Sequence, residues 1–267
     1  MTQSDYVFAD TKQDTEWQRL KWVQEVFDPV TTSLLEKLGV TSGWTCLEVG
    51  AGAGSILRWL CDRVGESGRV VALDLDPRFI AQEQRPNLEI RTQDIAKTAV
   101  EANRYDLIHA RCVLLHIVDR QQALAHLVHA LKPGGWLLLE DPDFTTNIAA
   151  LTEGETARVI NRVFEATRQF YASLQINPAL GRQLPLLLQE LGLQDIDTHS
   201  NIALFPGASP RSQIWQMAVA HLQQPLSDTG IVSEADLDLF LQGTQDPGTW
   251  MLDYTMVSAW GQKAALP

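Results

Sequence analysis

The chain predicts a doubly wound, mostly parallel α/β sheet. Strand-like runs and amphipathic helical segments alternate from residue 44 to 141, and the strands read as near-continuous apolar stretches, which suits a sheet covered on both faces. A glycine-rich turn also joins the first strand to the first helix of this region. Because crossovers between parallel strands are right-handed, such a chain places helices on both sides of its sheet.

The elements follow in order. Asp14 to Leu38 carries Trp17, Leu20, Phe27, Leu34, Leu35 and Leu38 at helical spacings and stops at Gly39, so it is expected as a helical cap. TCLEV is a buried strand, and Ile56, Leu57, Leu60 and Val64 after the turn mark one helical face. RVVALDLD (69 to 76) is a second strand, after which Asp76-Pro77 supplies an N-cap and a first-turn proline. Leu88 to Arg91 and Tyr105 to Ala110 are the third and fourth strands. Asp119 and Gln122 open a helix that ends before Lys132-Pro133-Gly134-Gly135, where the chain turns into a fifth strand, WLLLE. Beyond Asp143 the pattern becomes helical, with Thr152 and Glu155 as a capping box and a further helix through Leu184, Leu187, Leu188 and Leu191. Strand-like stretches return at Ile196 to Phe205 and Trp250 to Trp260, separated by helical patterns at Ser209 to Gln223 and Ser233 to Gln242. We expect one domain over 1–267: a helical cap (1–43), a ligand-binding core (44–143), and a half (144–267) whose helices lie over the carboxyl edge of the sheet.

Composition narrows the function. The 267 residues are 45% hydrophobic and 20% charged, ordinary for a globular protein. A formal net charge of −12, with no basic stripe, argues against nucleic acid as a partner. The polar, acidic start lacks the pattern of a signal peptide and no apolar run reaches membrane-spanning length, so the expectation is a cytoplasmic protein with no membrane partner. Cys46, Cys61 and Cys112 show neither paired spacing nor a histidine at ligand distance; they are expected as reduced core residues, and no metal is expected.

Glu48-Val49-Gly50-Ala51-Gly52-Ala53-Gly54 falls where open α/β sheets bind ligands, outside the carboxyl end of the first strand. Asp74 stands about 20 residues past Gly54 at the end of the second strand, the place of a carboxylate that accepts hydrogen bonds from ribose hydroxyls. A nucleoside ligand is indicated. Gly50, Gly52 and Gly54 alternate, however, and Ser55 stands where a pyrophosphate-binding turn has its third glycine. Glu48 beside the pocket repels an anion and attracts a cation, by about 4 kcal/mol at roughly 4 Å and an effective dielectric near 20, before desolvation. A nucleoside bearing an ammonium and a sulfonium fits that description: S-adenosylmethionine.

EVGAGAG (48 to 54), ALDLD (72 to 76), QDI (93 to 95), YDLIHAR (105 to 111) and LKPGG (131 to 135), in this order, resemble the signposts of class I S-adenosylmethionine-dependent methyltransferases of the small-molecule type. The resemblance covers roughly residues 44 to 141; weaker likenesses are Tyr6 to Phe8, the Glu16 to Leu20 helix and the closing SAWGQK. It implies a seven-stranded Rossmann-like sheet. It also implies that Gly50 and Gly52, with Ala51 between them, approach the methionine portion, that Asp74 holds the ribose, and that Leu75 lies against adenine. Asp94 would take the adenine amino group and the Ile95 N–H a ring nitrogen. The backbone at Ala110 would face the methionine ammonium, and Arg111 would reach the ligand carboxylate or brace its loop. The product would be S-adenosylhomocysteine. By the same analogy the acceptor is a small organic molecule, secondary-metabolite or quinone-like.

Among the histidines, His126 and His129 are expected on a solvent face and His109 as a satisfied core residue. His116, just past the fourth strand, is the candidate general base. Glu140, Asp141 and Asp143 could orient an acceptor or merely cap the strand, and Phe144, Phe164, Tyr171, Phe205, Trp215, Trp250 and Tyr254 are candidates for an apolar acceptor pocket. Two rivals remain: a nicotinamide-dependent oxidoreductase, disfavoured by the turn spacing, and a noncatalytic binding module, disfavoured by the intact Gly50, Gly52, Asp74 and Asp94.

Overall fold

Five apolar runs pair side by side as parallel strands: β1 (Thr45–Val49), β2 (Arg69–Asp74), β3 (Leu88–Thr92), β4 (Tyr105–Arg111) and β5 (Leu131–Asp143). The computed structural model describes residue 8, residues 12–150 and residues 153–265. With β7 (Gln194–Asn201) and β10 (Thr255–Gln262) these strands make a seven-stranded sheet in the order β3-β2-β1-β4-β5-β10-β7, where β10 runs antiparallel to both neighbours. The strand order reverses between β1 and β4, so a crevice opens at their carboxyl ends.

Helices α1 (Gln13–Lys37), α2 (Ser55–Val64) and α3 (Arg120–Ala130) belong to the first half. Side-chain caps form where the sequence places them: Asp119 accepts from the Gln122 N–H at 3.1 Å and opens α3. Lys263 closes the other end of α3, its Nζ donating to the carbonyls of Val128 and Leu131. Leu57, Leu60 and Val64 of α2 pack under the sheet in one cluster with Leu34 and Leu35 of α1. A second, larger cluster holds the other sheet face against α4 (Gly154–Ser173), α5 (Leu180–Glu190), α6 (Pro210–His221), α7 (Gln223–Ser227) and α8 (Glu234–Gly243).

Several expectations change. Asp76-Pro77 starts only a single 3-10 turn, Pro77–Phe79, so the crossover from β2 to β3 lacks a long helix. LKPGG belongs to β5 itself: Leu131 pairs with Tyr105, and the register then shifts so that Trp136 meets Leu107, the prolyl and glycyl residues forming the irregularity between. Thr152 lies outside the described residues; α4 starts after Glu153, and Glu155 pairs with Arg158 and Arg162. The Trp250 to Trp260 stretch is two strands. Trp250–Leu252 (β9) joins Ile148–Ala149 (β6) and Leu204–Pro206 (β8) in a separate three-stranded sheet. Strands of two or three residues carry too little alternation to be read from sequence. Ser233 and Asp236 form a reciprocal capping box on α8.

Candidate active site

The crevice at the switch point is a cavity of about 440 Å³, walled by the carboxyl ends of the strands and by residues of α1 and α6. Its floor is the turn after β1. Gly50 has φ +69 and its N–H donates to the Leu73 carbonyl at 2.7 Å; a Cβ there would lie 2.4 Å from Val113 Cγ2, so both dihedral and space require glycine. Asp74 Oδ2 accepts from the Gly52 N–H at 3.0 Å and Oδ1 from the Asp76 N–H at 2.9 Å. Burial raises its pKa while those backbone donors pull it down. A carboxylate oxygen can accept two hydrogen bonds, so each retains capacity toward the cavity.

Leu75 is 51% exposed and lines the same cavity, an apolar surface left for a ligand. Asp94 and Ile95 stand near it on the wall. Burial works to raise the Asp94 pKa, but Lys97 at 2.8 Å and the Ala96 N–H at 3.0 Å bring it below its ordinary value. His126, expected in solvent, is half-buried and pins this loop: Nδ1 donates to the Ile95 carbonyl at 2.7 Å. His129 is exposed. Glu48, Ala51 and Gly52 all reach the wall. Ala110 is buried in β4 opposite Val49, and the wall begins one residue later at Arg111. The Arg111 guanidinium donates to Thr31 Oγ1 at 2.8 Å and Asp28 Oδ1 at 2.7 Å, both on α1, so of its two expected roles bracing is the one the geometry favours.

Glu48 is not the lone carboxylate the sequence suggested. His109 Nδ1 lies 2.7 Å from Glu48 Oε2 and Nε2 lies 3.0 Å from Glu140 Oε2, all three side chains being buried. Burial alone would lower the His109 pKa, but the two carboxylates outweigh it and raise it to about 9. Thr31 and Ser258 hydroxyls, each at 2.6 Å, complete the shell of Glu140. Its pKa falls to about 2 despite burial, chiefly through the bond to His109. A visible signal existed: each of the three interrupts an apolar strand near its carboxyl end.

At the other end of the cavity the wall is aromatic. Phe144, Tyr171, Trp215 and Tyr254 line it, with ring centroids 5.1 Å apart for Phe144 and Tyr171 and 5.0 Å for Phe144 and Tyr254. Trp215 is fixed by its indole N–H donating to Asp253 Oδ1 at 3.0 Å. Phe164 is core, packed on Trp215, while Phe205 and Trp250 belong to the small sheet; none of the three lines the cavity. Nor do Glu140, Asp141 and Asp143: Asp141 is buried against the Leu115 N–H and Asp143 is bound to Thr145 and Arg182. His116 does line it, beside Arg19 of α1, and burial together with Arg19 pushes its pKa down to about 3. Among the described residues no group of three or more His, Cys, Asp or Glu is placed to hold a metal ion, and no helix is long and apolar enough to cross a membrane.

An open parallel sheet with a glycine turn at its switch point and an acidic residue ending the next strand is the arrangement of nucleotide- and nucleoside-binding α/β folds. Residues 47–137 match the model of a methyltransferase-domain family. The chain is 23% identical over 228 residues to the methyltransferase str2 of Strobilurus tenacellus, covering 84% of this chain and 72% of that one. It is 30% identical over 164 residues to a 37.1 kDa transposon protein of Streptomyces fradiae, 60% of this chain but only 46% of the relative's length. In fold it resembles Haemonchus contortus phosphoethanolamine N-methyltransferase 2, solved with phosphomonomethylethanolamine and S-adenosylhomocysteine, at a TM-score of 0.61 and 17% identity over 100% of this chain and 61% of that chain. What these likenesses show is a methyltransferase domain over residues 47–137, set in a fold shared with methyltransferases of known structure.

Proposed function

We propose that this chain transfers the methyl group of S-adenosylmethionine to a small, largely apolar organic acceptor. The observation that carries it is that one continuous cavity is walled at one end by the Gly50 turn, Asp74 and Asp94, and at the other by Phe144, Tyr171, Trp215 and Tyr254. The residues suit the donor. Glycine brings backbone against it, Asp74 keeps acceptor capacity for ribose hydroxyls, the exposed Leu75 suits a flat base, and Glu48 suits the cationic methionine end.

Bound there, S-adenosylmethionine supplies an electrophilic methyl group on a sulfonium, which leaves as a neutral thioether. The chain's own task is to hold the acceptor atom in line with that methyl and to exclude water. Residues of α1 and α6 cover the cavity, and the aromatic end presents little that competes as a nucleophile. His116 lines the same cavity and is the candidate to accept a proton from an acceptor hydroxyl, but burial and Arg19 push its pKa down to about 3 and make it a weak base.

Calorimetric titration with S-adenosylmethionine, with NAD as control and Asp74→Ala as second protein, tests the donor site. Saturable binding weakened by roughly 2 kcal/mol in the variant supports it. NAD binding with no response to S-adenosylmethionine overturns it.

A further inference from the structure

We infer that His109 is a positioning residue for the donor site: clamped between Glu48 and Glu140, it fixes the orientation of Glu48 at the cavity wall. The inference rests on the donor-site assignment above. Both ring nitrogens of His109 face carboxylate oxygens, at 2.7 Å and 3.0 Å. An ionised carboxylate only accepts, so a neutral imidazole would set a lone pair against one of them; two contacts of this length call for a ring that donates from both nitrogens. Glu140 accepts from Thr31 and His109 at one oxygen and from Ser258 at the other, so it is held in place against His109. The ring is thus held from the Glu140 side and acts on Glu48, whose residue is part of the cavity wall.

Counted with Arg111 and Asp28, the row holds three carboxylates and two cations, and so one negative charge overall. A buried imidazolium bonded to carboxylates on both sides holds Glu48 aimed before any ligand arrives. The groups that face the row are Asp28 and Thr31 of α1, Arg111 of β4 with Cys112 just after it, Asp141 beside Glu140 on β5, Ser258 of β10 and, on β1 itself, Cys46.

The test is S-adenosylmethionine affinity by calorimetry between about pH 6 and 8 for the wild type, His109→Gln and Glu48→Gln. The wild type should show a flat profile. In His109→Gln, Glu48 loses the cation that holds it, so affinity should fall by about tenfold or more across the range. Glu48→Gln should be weak at every pH. A His109→Gln protein that matches the wild type in affinity and pH profile overturns the inference, whereas a destabilised variant with a flat, unchanged affinity assigns His109 to structure alone and overturns it equally. Nitrogen-15 spectra of the ligand-free wild type give a second reading that depends on neither the variant's folding nor the donor's identity. Two protonated nitrogens on His109 at pH 8, below its pKa of about 9, support the clamp, and one protonated nitrogen there overturns it. Failure of the wild type to bind S-adenosylmethionine, by contrast, sinks the donor-site assignment on which the inference rests.

Discussion

Arg111 of β4 reaches Asp28 of α1, with Nη2 2.7 Å from Oδ1, and so ties the helix over the cavity to the strand that ends at it. Arg111→Met should loosen α1. We expect a loss of about 2 kcal/mol in urea unfolding, discounted because Asp28 is partly exposed, and a smaller effect on S-adenosylmethionine affinity than Asp74→Ala gives. Lost binding at unchanged stability would instead place the guanidinium on the ligand carboxylate.

Gly50 has no room for a side chain. Gly50→Ala should lower stability by about 1 to 3 kcal/mol from the positive φ alone, with a further loss from the contact with Val113. Adding Val113→Ala should restore the second part and not the first. Thermal unfolding of the single and double variants separates the two.

His116→Asn should leave donor affinity near the wild-type value and reduce turnover of a hydroxyl acceptor by about tenfold or less, because so weak a base contributes little to proton removal. With its pKa near 3, His116 is already neutral throughout the physiological range, so activity should show no step from its titration near pH 6.5. A step there that disappears in the variant would mean that the imidazole ionises far more easily than its burial allows.

His109 and Asp141 make stability depend on alkali. Both are raised in the folded chain, His109 to about 9 by its two carboxylates acting against burial and Asp141 to about 8 by burial, so each binds a proton more tightly folded than unfolded. The stability they contribute is present at low pH and is lost as pH rises, from the ordinary carboxylate range to about 8 for Asp141 and from 6.5 to about 9 for His109. Urea unfolding followed across that range should show a decline that is shallower in Asp141→Asn below pH 8. Glu140 acts in the opposite sense: lowered to about 2, it contributes stability above its ordinary value of 4.5 that disappears on acidification.

The glycine turn and the carboxylate beside it could be read from the chain because their signals are local. A glycine with φ +69 after a short apolar strand, and a carboxylate where the next strand ends, are properties of a few consecutive residues, and parallel pairing of β1 with β2 brings Gly52 and Asp74 together without help from the rest of the molecule. The parallel character of the core strands followed from the same alternation of periods, and the cap at Asp119 from spacing over three residues.

Contacts across long stretches of chain were a different matter. Glu48 meets His109 61 positions later, and Glu140 meets Ser258 118 positions later, only because β1, β4, β5 and β10 lie side by side. Phe144, Tyr171, Trp215 and Tyr254 share one wall while Phe205 and Trp250, equally aromatic, go to another sheet. Local periodicity reports which side of an element is apolar; it does not report which partner that side will meet, because the partner is selected by packing after the loops have closed. Residue types and short-range geometry therefore sufficed for the fold class and the glycine turn, whereas the partners of Glu48, the contacts of Arg111 and the membership of the aromatic wall depended on neighbours that folding alone brings within reach.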